Sequence, residues 1–68
     1  MVKVNLVIMG QGRQVLEVPE NTDLESLREM VEINPGLELR VGGEAIANDY
    51  VIMQGDNIVA TLPAKHGN

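Results

Sequence analysis

Apolar side chains recur at every second position from the start of the chain: Val2, Val4, Leu6 and Ile8, with Lys3 and Asn5 between them. A period of two turns alternate side chains to one face of an extended segment, so residues 2–8 read as a strand with one buried face. Val7 and Met9 fall on the nominally exposed face and interrupt its polar character. Gly10-Gln11-Gly12 follows, and two glycines in three residues suit the positive φ angles of a tight hairpin. A second strand over 13–18 places Leu16 and Val18 inward. Pro19 ends it by removing a ladder donor. The two strands predict an antiparallel hairpin.

The period then changes. Leu24, Leu27 and Val31, with Met30 at the margin, recur at helical spacing, while Arg28, Glu29 and Glu32 take the outer side. Thr22-Asp23-Leu24-Glu25 has the form of a capping box, in which the Thr22 hydroxyl accepts from the Glu25 amide and the Glu25 carboxylate returns to Thr22. Asp23 and Glu25 also suit the positive end of a helix dipole. Pro35 stops the helix near Asn34, because the residue before a proline avoids the α region. These signals predict about three turns of helix.

Beyond Gly36, Leu37, Leu39 and Val41 share one face of a third strand over 37–41. Gly42-Gly43 turns the chain into a short returning segment, Glu44-Ala45-Ile46. Asn48 to Val51 reads as a turn or a single helical turn capped by Asn48 or Asp49. Gln54-Gly55-Asp56-Asn57 makes another turn into a last strand over 58–62, with Ile58, Ala60 and Leu62 inward and Val59 and Thr61 outward. Pro63 closes that strand. The expected organisation is one domain over 1–63 and a short polar tail over 64–68.

The order of elements is β-β-α-β-(short β)-β. A hairpin followed by a helix packs as a sheet with the helix laid across one face. The last strand then belongs beside the first and parallel to it, because the helix supplies the crossover. The expectation is an α+β fold, the β-grasp, with a mixed sheet of four to five strands.

Composition narrows the functions this fold could serve. The 68 residues include no cysteine, so no disulfide or thiolate metal site staples the core. Tyr50 is the only aromatic residue, which leaves almost no platform for stacking nucleic-acid bases. Ten acidic residues against five basic ones give a net charge of −5. That balance disfavours phosphate backbones and suits a basic protein surface. No apolar run approaches the roughly 20 residues of a membrane span, and the alternating start lacks the apolar block of a signal peptide. A cytoplasmic protein without membrane or nucleic-acid partners is expected.

No catalytic set, metal cluster or cofactor motif can be assembled. His66 is the only histidine and has no cysteine or carboxylate beside it, whereas a metal site needs several converging ligands. Asp49 and Asp56 sit in turns, where capping accounts for them. Gly10-Gln11-Gly12 joins two strands and has no helix start beside it, so it reads as a hairpin and not a phosphate loop. Val7, Met9, Met53 and Val59 are apolar positions that the periodicities do not bury. Such residues on an open sheet face would form a partner surface.

Val41-Gly42-Gly43-Glu44-Ala45-Ile46, Asp49-Tyr50-Val51 and Gly55-Asp56-Asn57-Ile58-Val59 resemble the pattern of the bacterial sulfur carriers. Those are the ubiquitin-like carrier of the thiamin pathway and the small subunit of molybdopterin synthase. Gly42 stands where that family usually has asparagine, and the motifs cover residues 41–62. The resemblance implies a carrier, not a catalyst, whose C-terminal carboxylate is activated by an adenylating enzyme. Family tails end in Gly-Gly; here Gly67 and Asn68 occupy the end, so the match breaks at the position where the chemistry occurs. A β-grasp interaction module without tail activation is the alternative. Either reading expects a protein partner, no cofactor and a monomer when free.

Overall fold

The computed structural model describes residues 1–63; the tail residues Gly67 and Asn68 lie outside them. Five strands and one helix run in the order β1 (Val2–Ile8), β2 (Gly12–Val18), α1 (Leu24–Met30), β3 (Glu38–Val41), β4 (Glu44–Ala45) and β5 (Asn57–Thr61). The strands form a single sheet in the order β2-β1-β5-β3-β4. β1 and β5 are parallel at its centre, and the other pairs are antiparallel. The chain has the ubiquitin-like β-grasp architecture, with the last strand where the crossover argument placed it.

The core forms between α1 and one sheet face. Val4, Leu6 and Ile8 from β1 meet Val18, Leu24, Leu27, Ile33, Leu39, Ile52, Ile58 and Ala60 in one apolar cluster. The strand members are the residues that period two turned inward. At the hairpin, Gly10 takes φ 85° and the Gln11 amide donates to the Ile8 carbonyl at 2.8 Å. Positive φ at the third residue defines a type II turn, where glycine is the natural occupant.

Several local expectations are corrected. The N-cap is Asp23, whose carboxylate accepts from the Ser26 amide at 2.8 Å. Thr22 is buried instead, and its hydroxyl donates to the Pro19 carbonyl at 2.6 Å. The capping box fails because another segment claims the Glu25 amide and the Thr22 hydroxyl turns to Pro19. Leu24 N–H donates to the Tyr50 carbonyl and Glu25 N–H to the Asn48 carbonyl, each at 3.1 Å.

The helix has seven residues, not three turns. Glu32 adopts φ 54°, and the Ile33 amide reaches back to the Arg28 carbonyl at 2.9 Å. This is a Schellman-type closure with glutamate in the left-handed position glycine usually fills. It turns the chain early and drives Ile33 into the core, while Met30 is left exposed. Arg28, expected outside, is half-buried and donates to the Leu37 carbonyl at 2.9 Å. Leu62 lies beyond β5 and is 60% exposed instead of facing inward. Of the two forms expected for residues 48–51, the structure has the turn.

Candidate functional site

Strand parity defines the sheet face opposite α1. Lys3, Asn5 and Val7 of β1, Arg13, Val15 and Glu17 of β2, Asn57, Val59 and Thr61 of β5, and Glu38 and Arg40 of β3 alternate with the core residues. The register aligns them in rows. Val7 pairs with Arg13 on one side and Val59 on the other, and Val59 pairs with Arg40. One row therefore reads Arg13-Val7-Val59-Arg40: two apolar side chains between two guanidinium groups.

Neighbouring rows fix the edges of this patch. The Asn5 Nδ2 donates to Asn57 Oδ1 at 3.1 Å, an amide pair spanning the two parallel strands. Just past β1, Met9 N–H donates to the Ala60 carbonyl at 2.9 Å, which holds Met9 beside Thr61. The Thr61 hydroxyl lies 3.9 Å from the Met9 sulfur. Arg40 Nε sits 3.0 Å from Glu38 Oε2, and Arg40 also donates to the Gly43 carbonyl at 3.1 Å. These contacts orient Arg40 beside Val59.

The structure thus brings Val7, Met9 and Val59 together on one open face. It does not bring Met53 to them. Met53 lies toward the other end of β1 with Val51 and Val2, in a groove also lined by Glu20 and Asn21. Val15, 57% exposed on the open face, is a member that the period-two reading passed over. An apolar residue among the outward positions 13, 15 and 17 was the available signal.

The charge of this face differs from that of the chain. Lys3, Arg13 and Arg40 oppose only Glu17 and Glu38, so the face carries a small positive balance while eight of the ten acidic residues lie elsewhere. The net charge of −5 had suggested a basic partner. Position on the fold reverses that inference for the open face, which suits a partner with an acidic rim.

Behind the sheet, Asp56 organises the segment that enters β5. Its Oδ2 accepts from the Tyr50 hydroxyl at 2.9 Å and from the Met53 amide at 2.8 Å. Gly55, at φ 86°, completes the turn, and its amide donates to the Lys3 carbonyl at 2.8 Å. The hydrogen bond to Asp56 raises the Tyr50 pKa above its ordinary 10.0, with desolvation adding to it. Both Asp49 and Asp56 are turn residues, and among the described residues no group of three or more His, Cys, Asp or Glu is placed to hold a metal ion. No helix among the described residues is long and apolar enough to cross a membrane.

The architecture is that of the ubiquitin-like proteins, and solved structures from an archaeon share it. A structure titled Caldiarchaeum subterraneum ubiquitin is similar to this chain with a TM-score of 0.67 and 20% identity, covering 97% of this chain and 98% of that one. A ubiquitin-like protein from the same hyperthermophilic archaeon is similar with a TM-score of 0.62 and 21% identity, covering 96% and 100%. These likenesses establish the fold along essentially the whole chain. No protein-family model and no curated protein matches the sequence.

Proposed function

We propose that this chain is a small ubiquitin-like binding protein that docks a protein partner on its open sheet face. The observation that carries the reading is the row Arg13-Val7-Val59-Arg40, extended by Met9 and left uncovered by α1. An apolar centre with a polar rim, enriched in methionine and arginine, is the composition of protein interfaces. The partner contributes apolar groups against Val7 and Val59, and carboxylates toward the arginines.

Photo-crosslinking from position 59 in the native cell identifies the partner, and purified components then give its affinity. Val59→Asp and Met9→Asp abolish binding, whereas removing residues 64–68 leaves it intact. Equal binding by the aspartate variants and the parent chain would refute the docking face.

A second reading, tail activation, is favoured by the sulfur-carrier-like motifs over 41–62 and by where β5 ends. Thr61 lies beside Met9, so the chain leaves the sheet at the margin of the docking face. A partner seated there would be an adenylating enzyme acting on Gly67-Asn68, directly or after Asn68 is trimmed. Adenylate formed at the C-terminus with ATP and such an enzyme supports this reading. An intact mass from native cells with neither trimming nor modification, together with no turnover, removes it.

A further inference from the structure

Among the described residues the outer edge of β2 is unpaired, and hydrogen-bond parity shows which groups it presents. Asn5 N–H donates to the Asp56 carbonyl and Met9 N–H to the Ala60 carbonyl, so the odd residues of β1 bond toward β5. The even residues must bond toward β2, where their partners are Gly12, Gln14, Leu16 and Val18. The N–H and C=O groups of Arg13, Val15 and Glu17 therefore point outward along the free edge. The side chains of the same three residues stand on the open face.

Sheet edges of this kind are ordinarily blunted by proline, charged side chains, a bulge or covering structure. β2 contains no proline, and its seven residues pair with β1 in unbroken register. Its only charges, Arg13 and Glu17, are of opposite sign, so they repel a second copy only in registers that oppose like with like. Val15 at its middle is more than half exposed.

The sequence of this edge is complementary to itself. Set two copies antiparallel about Val15, and Arg13 faces Glu17 of the second copy while Val15 faces Val15. Each opposed pair has both backbone groups turned to the other strand and exchanges two N–H···O bonds, so the three pairs form six. Centring the pairing on Arg13 or Glu17 instead would oppose like charges. We propose that β2 is a homotypic docking edge, through which a second copy of this chain adds antiparallel to form a continuous ten-stranded sheet.

The two open faces then lie side by side on one surface, so a dimer presents two copies of the Val7-Val59 row. This inference does not depend on what binds that row. It replaces the expected monomer by a concentration-dependent equilibrium. A single strand-to-strand contact belongs with small, transient interfaces, so dimerisation falls at roughly 10–1000 µM protein.

Sedimentation equilibrium of the full chain up to about 2 mM, with amide exchange at positions 13, 15 and 17, tests the proposal. The expected result is dimerisation with protection of those three amides rising with concentration. Arg13→Glu and Glu17→Arg each replace two attractive cross-strand pairs by repulsive ones, and each weakens the dimer by about tenfold or more. The double variant R13E/E17R regains wild-type association, and so does an equimolar mixture of the two single variants. Glu17→Arg reduces the magnitude of the net charge, from −5 to −3, so weakening by this change separates specific pairing from general repulsion. A chain monomeric at all concentrations, single variants that associate like the wild type, or a mixture that fails to associate would each overturn the proposal.

Discussion

Asp56→Ala removes the acceptor for two donors at once. The Tyr50 hydroxyl at 2.9 Å and the Met53 amide at 2.8 Å converge on one carboxylate oxygen. A hydrogen bond to a charged group contributes about 1.5–3 kcal/mol when well sheltered. Asp56 is only half-buried, which places each bond nearer 1 kcal/mol and the pair near about 2 kcal/mol. A chain of this length has about 3–10 kcal/mol of total stability, and the loss corresponds to a fall of roughly 10 °C in Tm. Urea unfolding followed by far-UV circular dichroism measures it without a tryptophan.

Controls divide the effect. Tyr50→Phe costs about 1 kcal/mol, and Asp56→Asn, which keeps an acceptor oxygen, costs less than Asp56→Ala. Combining Tyr50→Phe with Asp56→Ala gives less than the sum of the two, because the second change removes a bond already lost. Strict additivity would show that the Tyr50–Asp56 contact carries no energy, and the reasoning would fail. The pH dependence gives a second check. Folding raises the Tyr50 pKa, so its contribution is complete below pH 10.0 and is lost as pH rises through the folded value. Tyr50→Phe should abolish that alkaline loss.

Glu32→Gly relieves a left-handed backbone at φ 54° and stabilises the chain by about 0.5–1 kcal/mol after the entropy of the unfolded glycine is deducted; a lower midpoint in urea would contradict this. Asp23→Ala lowers the unfolding midpoint at neutral pH by removing the cap on Ser26, while Asp23→Asn retains most of it. The Ser26 amide holds the Asp23 carboxyl below its ordinary 3.8, so the cap's contribution is present above that value and fades as pH falls through the folded pKa. Parallel acid-unfolding curves for the Asp23→Ala variant and the parent chain would exclude that linkage.

Strand positions and buried faces were legible because alternation reports them locally. Val4, Leu6 and Ile8 needed only a period of two to be assigned inward, and Gly10 and Gly55 marked turns whose φ angles demand glycine. The Gly55-Asp56 pair likewise announced a turn with a side-chain bond to nearby backbone, and the Met53 amide is the group it binds. The parallel pairing of β1 with β5 followed from element order and crossover geometry, with no residue contact known in advance.

What lay beyond the sequence was whatever depended on a distant segment. Thr22 and Glu25 form a sound capping box in isolation, yet the Asn48 carbonyl takes the Glu25 amide and the Thr22 hydroxyl donates to the Pro19 carbonyl. The helix ends at Met30 because Ile33 gains a place in the core, a benefit no local signal records. The candidate site divided along the same line. Sequence nominated Val7, Met9, Met53 and Val59 as unburied apolar residues, and parity alone put Val7 and Val59 on outward positions. Only strand order brings β5 against β1, so that Val7 meets Val59 between Arg13 and Arg40 while Met53 falls at the other end of the sheet. Alternation is a property of one strand, whereas a surface is made by neighbours, and long-range pairing chooses the neighbours.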